Sequence, residues 1–132
     1  LVSGEYYKNF LLEIHQEFVE RLPVPLILHI CGKTLDRMPY IAQSGMAAFH
    51  FDSKNDPKEA INAVNGGIKL VGNINNPETL YAKGVNEVKE EVFKALDAGV
   101  QLIAPECAIP LKTKIENLLA IPEAVKEWTS RK

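Results

Sequence analysis

The chain has 132 residues, a formal net charge of −2 and 46% hydrophobic residues, enough apolar material for one core in a single domain spanning residues 1–132. Acidic and basic residues are mixed along it, which argues against a nucleic-acid grip or a polybasic membrane patch. No apolar run approaches the ~20 residues of a membrane span. Two cysteines are too few for a secreted disulfide framework, so a reducing cytoplasm is the expected setting. The first residue is Leu1 rather than Met, and the segment is expected to come from something longer, since a complete eight-fold β/α barrel needs ~250 residues.

Ser3 can cap a leading helix in which Tyr6, Phe10, Ile14 and Phe18 recur every four residues, a stripe expected to pack inward. Pro23 and Pro25 forbid its continuation. Residues 26–31 form a short, mostly apolar run closed by Gly32, which suits a buried strand. A helix through Leu35, Met38 and Ile41 ends near Gly45, and residues 46–51 give a second strand. Asp56-Pro57 opens the next helix as cap and first helical residue, and Asn65-Gly66-Gly67 stops it. Residues 68–71 are a third strand, after which Asn76-Pro77 repeats the capping signal. Val85, Val88, Val92 and Leu96 mark one face of a longer helix ended by Gly99, with Glu90 and Lys94 spaced to pair. Residues 100–104 are the fourth strand. Thr113 and Glu116 make a capping box for the last helical region, which Pro122 is expected to break in two. Four such units imply parallel strands joined by right-handed crossovers. The class is α/β, as a small open sheet or half a barrel.

Ligands of parallel α/β folds collect at the carboxyl ends of the strands. There the chain places His29 and Cys31, His50 and Asp52, Asn73 and Asn75, and Glu106 and Cys107. Residues two apart on a strand share a face, so His29 and Cys31 converge. Cys107 can join them only through tertiary structure. A His-Cys-Cys set supplies three zinc ligands and leaves the fourth position to water or substrate. The same residues also read as two small core cysteines and a satisfied histidine. His50 and Asp52 read as residues that orient a ligand or bind substrate, or as a plain strand-end ion pair. Asn73 and Asn75 read as turn residues, with Asn73 also a candidate substrate contact. No glycine-rich phosphate loop and no Ser-His-Asp spacing occurs.

His29-Ile30-Cys31-Gly32, Val71-Gly72-Asn73-Ile74 and Pro105-Glu106-Cys107-Ala108-Ile109-Pro110, with Asn117-Leu118 following Thr113, resemble the uroporphyrinogen decarboxylase superfamily over essentially the whole chain. Within it they are most similar to the zinc-dependent methylcobamide:coenzyme M methyltransferases. The resemblance implies the carboxy-terminal half of a (β/α)8 TIM-type barrel, about four parallel strands with helices, in which His29, Cys31 and Cys107 bind zinc. It implies an enzyme of methanogenesis that moves a methyl group from methylcobalamin on a corrinoid protein to a small thiol, with coenzyme M the expected acceptor. Glu106 stands where the resemblance leads one to expect Gly; its carboxylate is either an extra zinc ligand or points away along the strand. Two other readings stay open. One is a decarboxylase-like enzyme acting on a tetrapyrrole without metal; the other is a half domain that binds zinc or a corrinoid protein without catalysis. A half barrel has two free sheet edges, so the chain is expected to form an edge-to-edge homodimer or to pack differently from its full-length relatives.

Overall fold

In a computed structural model, which describes residues 2–132, the leading helix is one rod of three parts: α1 (Gly4–Tyr6), a π-helical stretch (Tyr7–Leu11) and α2 (Leu12–Arg21). Ser3 caps it, its Oγ accepting from the Tyr6 amide at 3.1 Å. The π-helical stretch adds a residue to one turn and rotates everything after it. Tyr7 and, five residues on, Leu12 are buried, whereas Tyr6, Phe10, Ile14 and Phe18 face solvent, Phe10 at 60% exposure. The expected inward stripe is therefore an outward one. Burial pushes the Tyr7 hydroxyl up to about 12 and lowers the His15 imidazole. The two share a hydrogen bond of 2.8 Å between the Tyr7 hydroxyl and His15 Nδ1.

After the rod, β1 (Ile27–Ile30), α3 (Met38–Ile41), β2 (Ala48–Phe51), α4 (Pro57–Val64), β3 (Lys69–Ile74), a second π-helical stretch (Asn76–Tyr81), α5 (Val85–Ala98), β4 (Leu102–Pro105) and α6 (Ile115–Ser130) follow in turn. The strands pair in chain order, β1-β2-β3-β4, all parallel, with His29 opposite His50 and Ile74 opposite Pro105. Alternation along each strand sends Leu28, Ile30, Phe49, Phe51, Leu70 and Ile103 into the helices. The residues between them, from Ile27 and His29 on β1 to Leu102 on β4, lie on the face that no helix covers; Ile27 is 60% exposed and Leu102 51%. A second cluster, of Ile74, Leu80, Val88, Val92, Ala120, Ile121 and Ala124, joins α5 and α6 to β3. Among the described residues no helix is long and apolar enough to cross a membrane.

Several local expectations shift by one residue or one partner. Asn75, not Asn76, caps the second π-helical stretch, its side-chain oxygen accepting from the Glu78 amide at 2.8 Å; the Asn76 amide is engaged elsewhere. The capping box at Thr113 does not form. α6 starts at Ile115 with Lys114 as its cap, which moves Glu116 out of the third helical position, and Thr113 Oγ1 is buried without a partner. Pro122 does not break α6, which runs unbroken past it. Packing of Ala120, Ile121 and Ala124 against α5 outweighs the hydrogen bond that proline removes. Lys94, spaced to meet Glu90, reaches Asp56 Oδ2 instead at 3.2 Å.

Asp56 caps α4, its Oδ1 accepting from the Lys58 and Glu59 amides at 3.0 and 3.2 Å. The Glu59 amide is the largest influence on its carboxyl and lowers it; partial burial opposes this, and Lys94 adds to the lowering. A depressed folded-state pKa contributes stability above the ordinary carboxyl range, lost as pH falls through the depressed value. Asp56→Ala is therefore expected to cost about 1 kcal/mol at pH 7. The difference should shrink toward pH 3, as read from urea midpoints at both values; a constant difference would contradict the charged cap.

Candidate metal centre

Cys31 lies one residue past β1, and Cys107 lies two residues past β4, so neither thiol is held by the strand ladder itself. Even so, they meet. Sγ of Cys31 is 3.5 Å from Sγ of Cys107 and 3.1 Å from Nε2 of His29, and all three donor atoms lie within 4.8 Å of one another. The segments that follow the two outer strands bring the thiols together beyond the carboxyl ends of β1 and β4. The cluster sits there, exposed, on the uncovered face. His29, Cys31 and Cys107, singled out from the sequence, are thus brought to one point.

The histidine is oriented from behind. Its Nδ1 faces the His50 carbonyl at 3.1 Å; a carbonyl only accepts, so Nδ1 carries the proton and Nε2 presents its lone pair to the thiols. A hydrogen bond of this kind fixes the tautomer of a metal-binding imidazole. His50 in turn donates from Nε2 to the Pro105 carbonyl at 2.7 Å, and its ring stacks near His29 with centroids 4.6 Å apart. One residue on β2 therefore links the histidine strand, through its carbonyl, to the Cys107 strand, through its ring.

Asp52 and Asn73, expected as substrate contacts, are placed in the framework. Asp52 Oδ2 accepts from the Gly32 amide at 2.8 Å and Oδ1 from the Lys54 amide at 2.9 Å. Burial raises the Asp52 carboxyl, but the Lys54 and Gly32 amides outweigh it and leave the pKa below the ordinary value. Asn73 Nδ2 donates to the Asn55 carbonyl at 2.9 Å. Glu106 is buried, its two oxygens on the backbone amides of Ser53 and Asn76 at 2.8 and 3.0 Å. It is not part of the donor cluster. Sequence reasoning passed over Asn55, which is buried. Its Nδ2 donates to the Gly32 carbonyl at 2.9 Å, and its Oδ1 accepts from the Thr34 amide at 2.8 Å. An Asn in a polar turn before a proline carries no periodic signal that would have marked it.

The donor set fits a tetrahedral dication. With Zn–S of ~2.3 Å and Zn–N of ~2.0 Å, ligand atoms in a tetrahedral site stand about 3.5–3.8 Å apart; the two Sγ atoms stand 3.5 Å apart, and Nε2 lies 3.1 Å from Cys31 Sγ. The electrostatics agree. The Cys31 thiol is pushed up first by its hydrogen bond with Cys107, then by burial and by the negative charges of Cys107, Asp52 and Glu106. Two thiolates this close repel each other, and a bound dication would offset both charges. Three protein donors, all exposed, leave room for a fourth ligand.

The uroporphyrinogen decarboxylase (URO-D) family matches residues 1–128. A methylcobamide:CoM methyltransferase (MtaA) of Methanosarcina barkeri is 31% identical over 129 residues, covering 97% of this chain and 38% of that protein. A methylated-thiol–coenzyme M methyltransferase of Methanosarcina mazei is 30% identical over 128 residues, covering 96% of this chain and 34% of that protein. Among solved structures, a methyltransferase from Methanosarcina mazei superposes with a TM-score of 0.92 at 29% identity, over 98% of this chain and 39% of that one. The chain thus spans little more than a third of the relatives it matches. Its arc keeps the arrangement found in a longer protein, which corrects the expectation of a different packing.

Proposed function

The chain belongs to the uroporphyrinogen decarboxylase (URO-D) family, and we propose that within it the chain carries the zinc end of a methyltransferase, which moves a methyl group from a methyl-corrinoid protein to a thiol, with coenzyme M as acceptor. The observation that carries this reading is the convergence of His29 Nε2, Cys31 Sγ and Cys107 Sγ on one exposed point. The names of the relatives add the methyl donor and the acceptor class. Zinc bound there would draw the proton off an acceptor thiol, whose ordinary pKa is ~8.5, and leave it nucleophilic near neutral pH.

The protein's own residues do the rest. His29, Cys31 and Cys107 would hold the metal, and three protein donors would leave one position for an acceptor thiol. His50 fixes the His29 tautomer. Asp52 and Asn73 keep the loops beside the thiols in register, and the His50 ring lines the approach to the site. In the transfer, the sulfur–carbon bond forms as the carbon–cobalt bond breaks, and that electron pair stays on cobalt. The uncovered face is the side from which a corrinoid protein would present its methyl group. A reducing cytoplasm suits this chemistry, because it keeps both cysteines as free thiols. The free edges of β1 and β4 make a homodimer the expected assembly of this chain alone.

Metal analysis after dialysis should find about one zinc per chain, as three protein donors imply. The zinc-loaded chain, given methylcobalamin and 2-mercaptoethanesulfonate, should produce the methyl thioether as methylcobalamin absorbance falls. Zinc-free protein with full transfer activity would overturn the reading, and zinc retention without any transfer would favour the non-catalytic half domain.

A further inference from the structure

Building on that metal-site reading, we propose that Glu106 is a positioning residue that sets where Cys107 stands relative to Cys31, and so sets the affinity and geometry of the metal centre. The sheet does not do this. The last ladder pair between β3 and β4 is Ile74 with Pro105, and the chain bends away at Glu106 and Cys107. Three bonds replace the ladder. The Glu106 amide donates to the Ile74 carbonyl at 2.9 Å, which extends the pairing by one step. The Glu106 carboxylate then turns back into the protein, Oε2 accepting from the Ser53 amide at 2.8 Å and Oε1 from the Asn76 amide at 3.0 Å. Asn76 closes the bracket from the other side, its Nδ2 donating to the Ala108 carbonyl at 2.8 Å. The residues before and after Cys107 are therefore both tied down, while the thiol between them is exposed.

The anchor at Ser53 has a second consequence. Its neighbours in the same loop, Asp52 and Asn55, bind the Gly32 amide at 2.8 Å and the Gly32 carbonyl at 2.9 Å, and Gly32 follows Cys31. Both thiols are thus referenced to one short loop, residues 52–55. That is how two cysteines just past the outer strands of the sheet come to stand 3.5 Å apart. A carboxylate suits the task better than an amide, because it presents two acceptor oxygens and no donor to two backbone amides, and ionised acceptors make the stronger bonds.

The test uses the full chain and two probes, zinc alone and cobalt(II) alone. Glu106→Ala removes both bonds. It should weaken zinc binding in chelator competition by about ten- to a hundredfold, the range seen when groups supporting a metal ligand are lost. It should also shift the thiolate charge-transfer and d–d bands of the cobalt form. Glu106→Gln keeps the volume and one accepting oxygen, should lose less, and stands in if the alanine variant does not fold. Asn117→Ala is the control: it removes a buried side chain that donates to the Leu80 and Lys83 carbonyls at 2.9 and 2.8 Å and bonds none of the three donors or Glu106. It should lower the melting temperature and leave zinc affinity and the cobalt spectrum unchanged. Unaltered zinc affinity and cobalt bands in the folded Glu106 variants would overturn the proposal while leaving the metal centre standing. An equal loss in Asn117→Ala would overturn it too, by reducing the effect to general destabilisation. Wild-type chain that holds neither metal would bring down the metal-site reading, and this proposal with it.

Discussion

Cys107→Ala should leave a folded protein that no longer retains zinc. The thiol is exposed, and surface substitutions of this kind change stability by within ~0.5 kcal/mol, so circular dichroism and the melting temperature of the metal-free form should hardly move. The centre loses one of its three protein donors, leaving His29 and Cys31 to share the ion with water. Losing groups that merely support a ligand costs ten- to a hundredfold in affinity, so loss of a ligand itself should exceed about a hundredfold. Zinc measured after dialysis against a weak chelator should fall from about one per chain to near zero. Retention of one zinc per chain would remove Cys107 from the site. The same centre should bind more weakly in acid. Its ligands are thiolates, the Cys31 thiol is raised above its ordinary value, and each proton held by a thiol competes with the metal. Affinity should therefore rise steadily with pH across the neutral range and beyond; a flat profile would exclude thiolate ligation.

Phe51→Ala should be the most damaging single change to the fold, at about 3–5 kcal/mol, the usual cost of truncating a buried aromatic residue. Phe51 is fully buried on β2 in the main core cluster. Its neighbour β3 approaches so closely that a Cβ on Gly72 would stand 2.7 Å from the Phe51 carbonyl oxygen, which leaves little room for the sheet to close over a cavity. Domains hold only about 5–15 kcal/mol in all, so the urea midpoint should drop steeply. Phe10→Ala provides the contrast. The phenylalanine belongs to the four-residue stripe that the sequence turns inward, yet it is 60% exposed, and its loss should fall within ~0.5 kcal/mol. Comparable losses for the two would restore the stripe to the core and contradict the phase shift made by the π-helical turn.

The contrast between these two phenylalanines shows where local pattern stops being informative. Periodicity located the leading helix, since a four-residue repeat bounded by Ser3 and two prolines admits little else. It misjudged which side of that helix is buried: Tyr6, ahead of the π-helical turn, already faces solvent, and the turn then carries the buried face from Tyr7 to Leu12, a shift that no residue in the stretch announces. Caps behaved the same way. Asp56 was legible because Asp-Pro at a helix start is chemically specific, whereas the same signal at Asn76-Pro77 missed by one residue: the Asn76 side chain is drawn to the Ala108 carbonyl, and Asn75 takes the cap.

By itself, the sequence determined that the fold is α/β, that four short parallel strands alternate with helices, and that polar, metal-capable side chains gather at the carboxyl ends of those strands. Those properties follow from local rules of periodicity, turn chemistry and side-chain type. Tertiary structure decided three further things. It decided which donors meet, because Cys31 and Cys107 are 76 residues apart and approach only where the segments after β1 and β4 converge. It decided the tautomer of His29, which depends on the His50 carbonyl across the β1–β2 pair. It also decided what Glu106 does, since a carboxylate beside a cysteine could face the metal or turn inward. Two backbone amides from other loops draw it inward, and no spacing along the chain encodes where those amides will be.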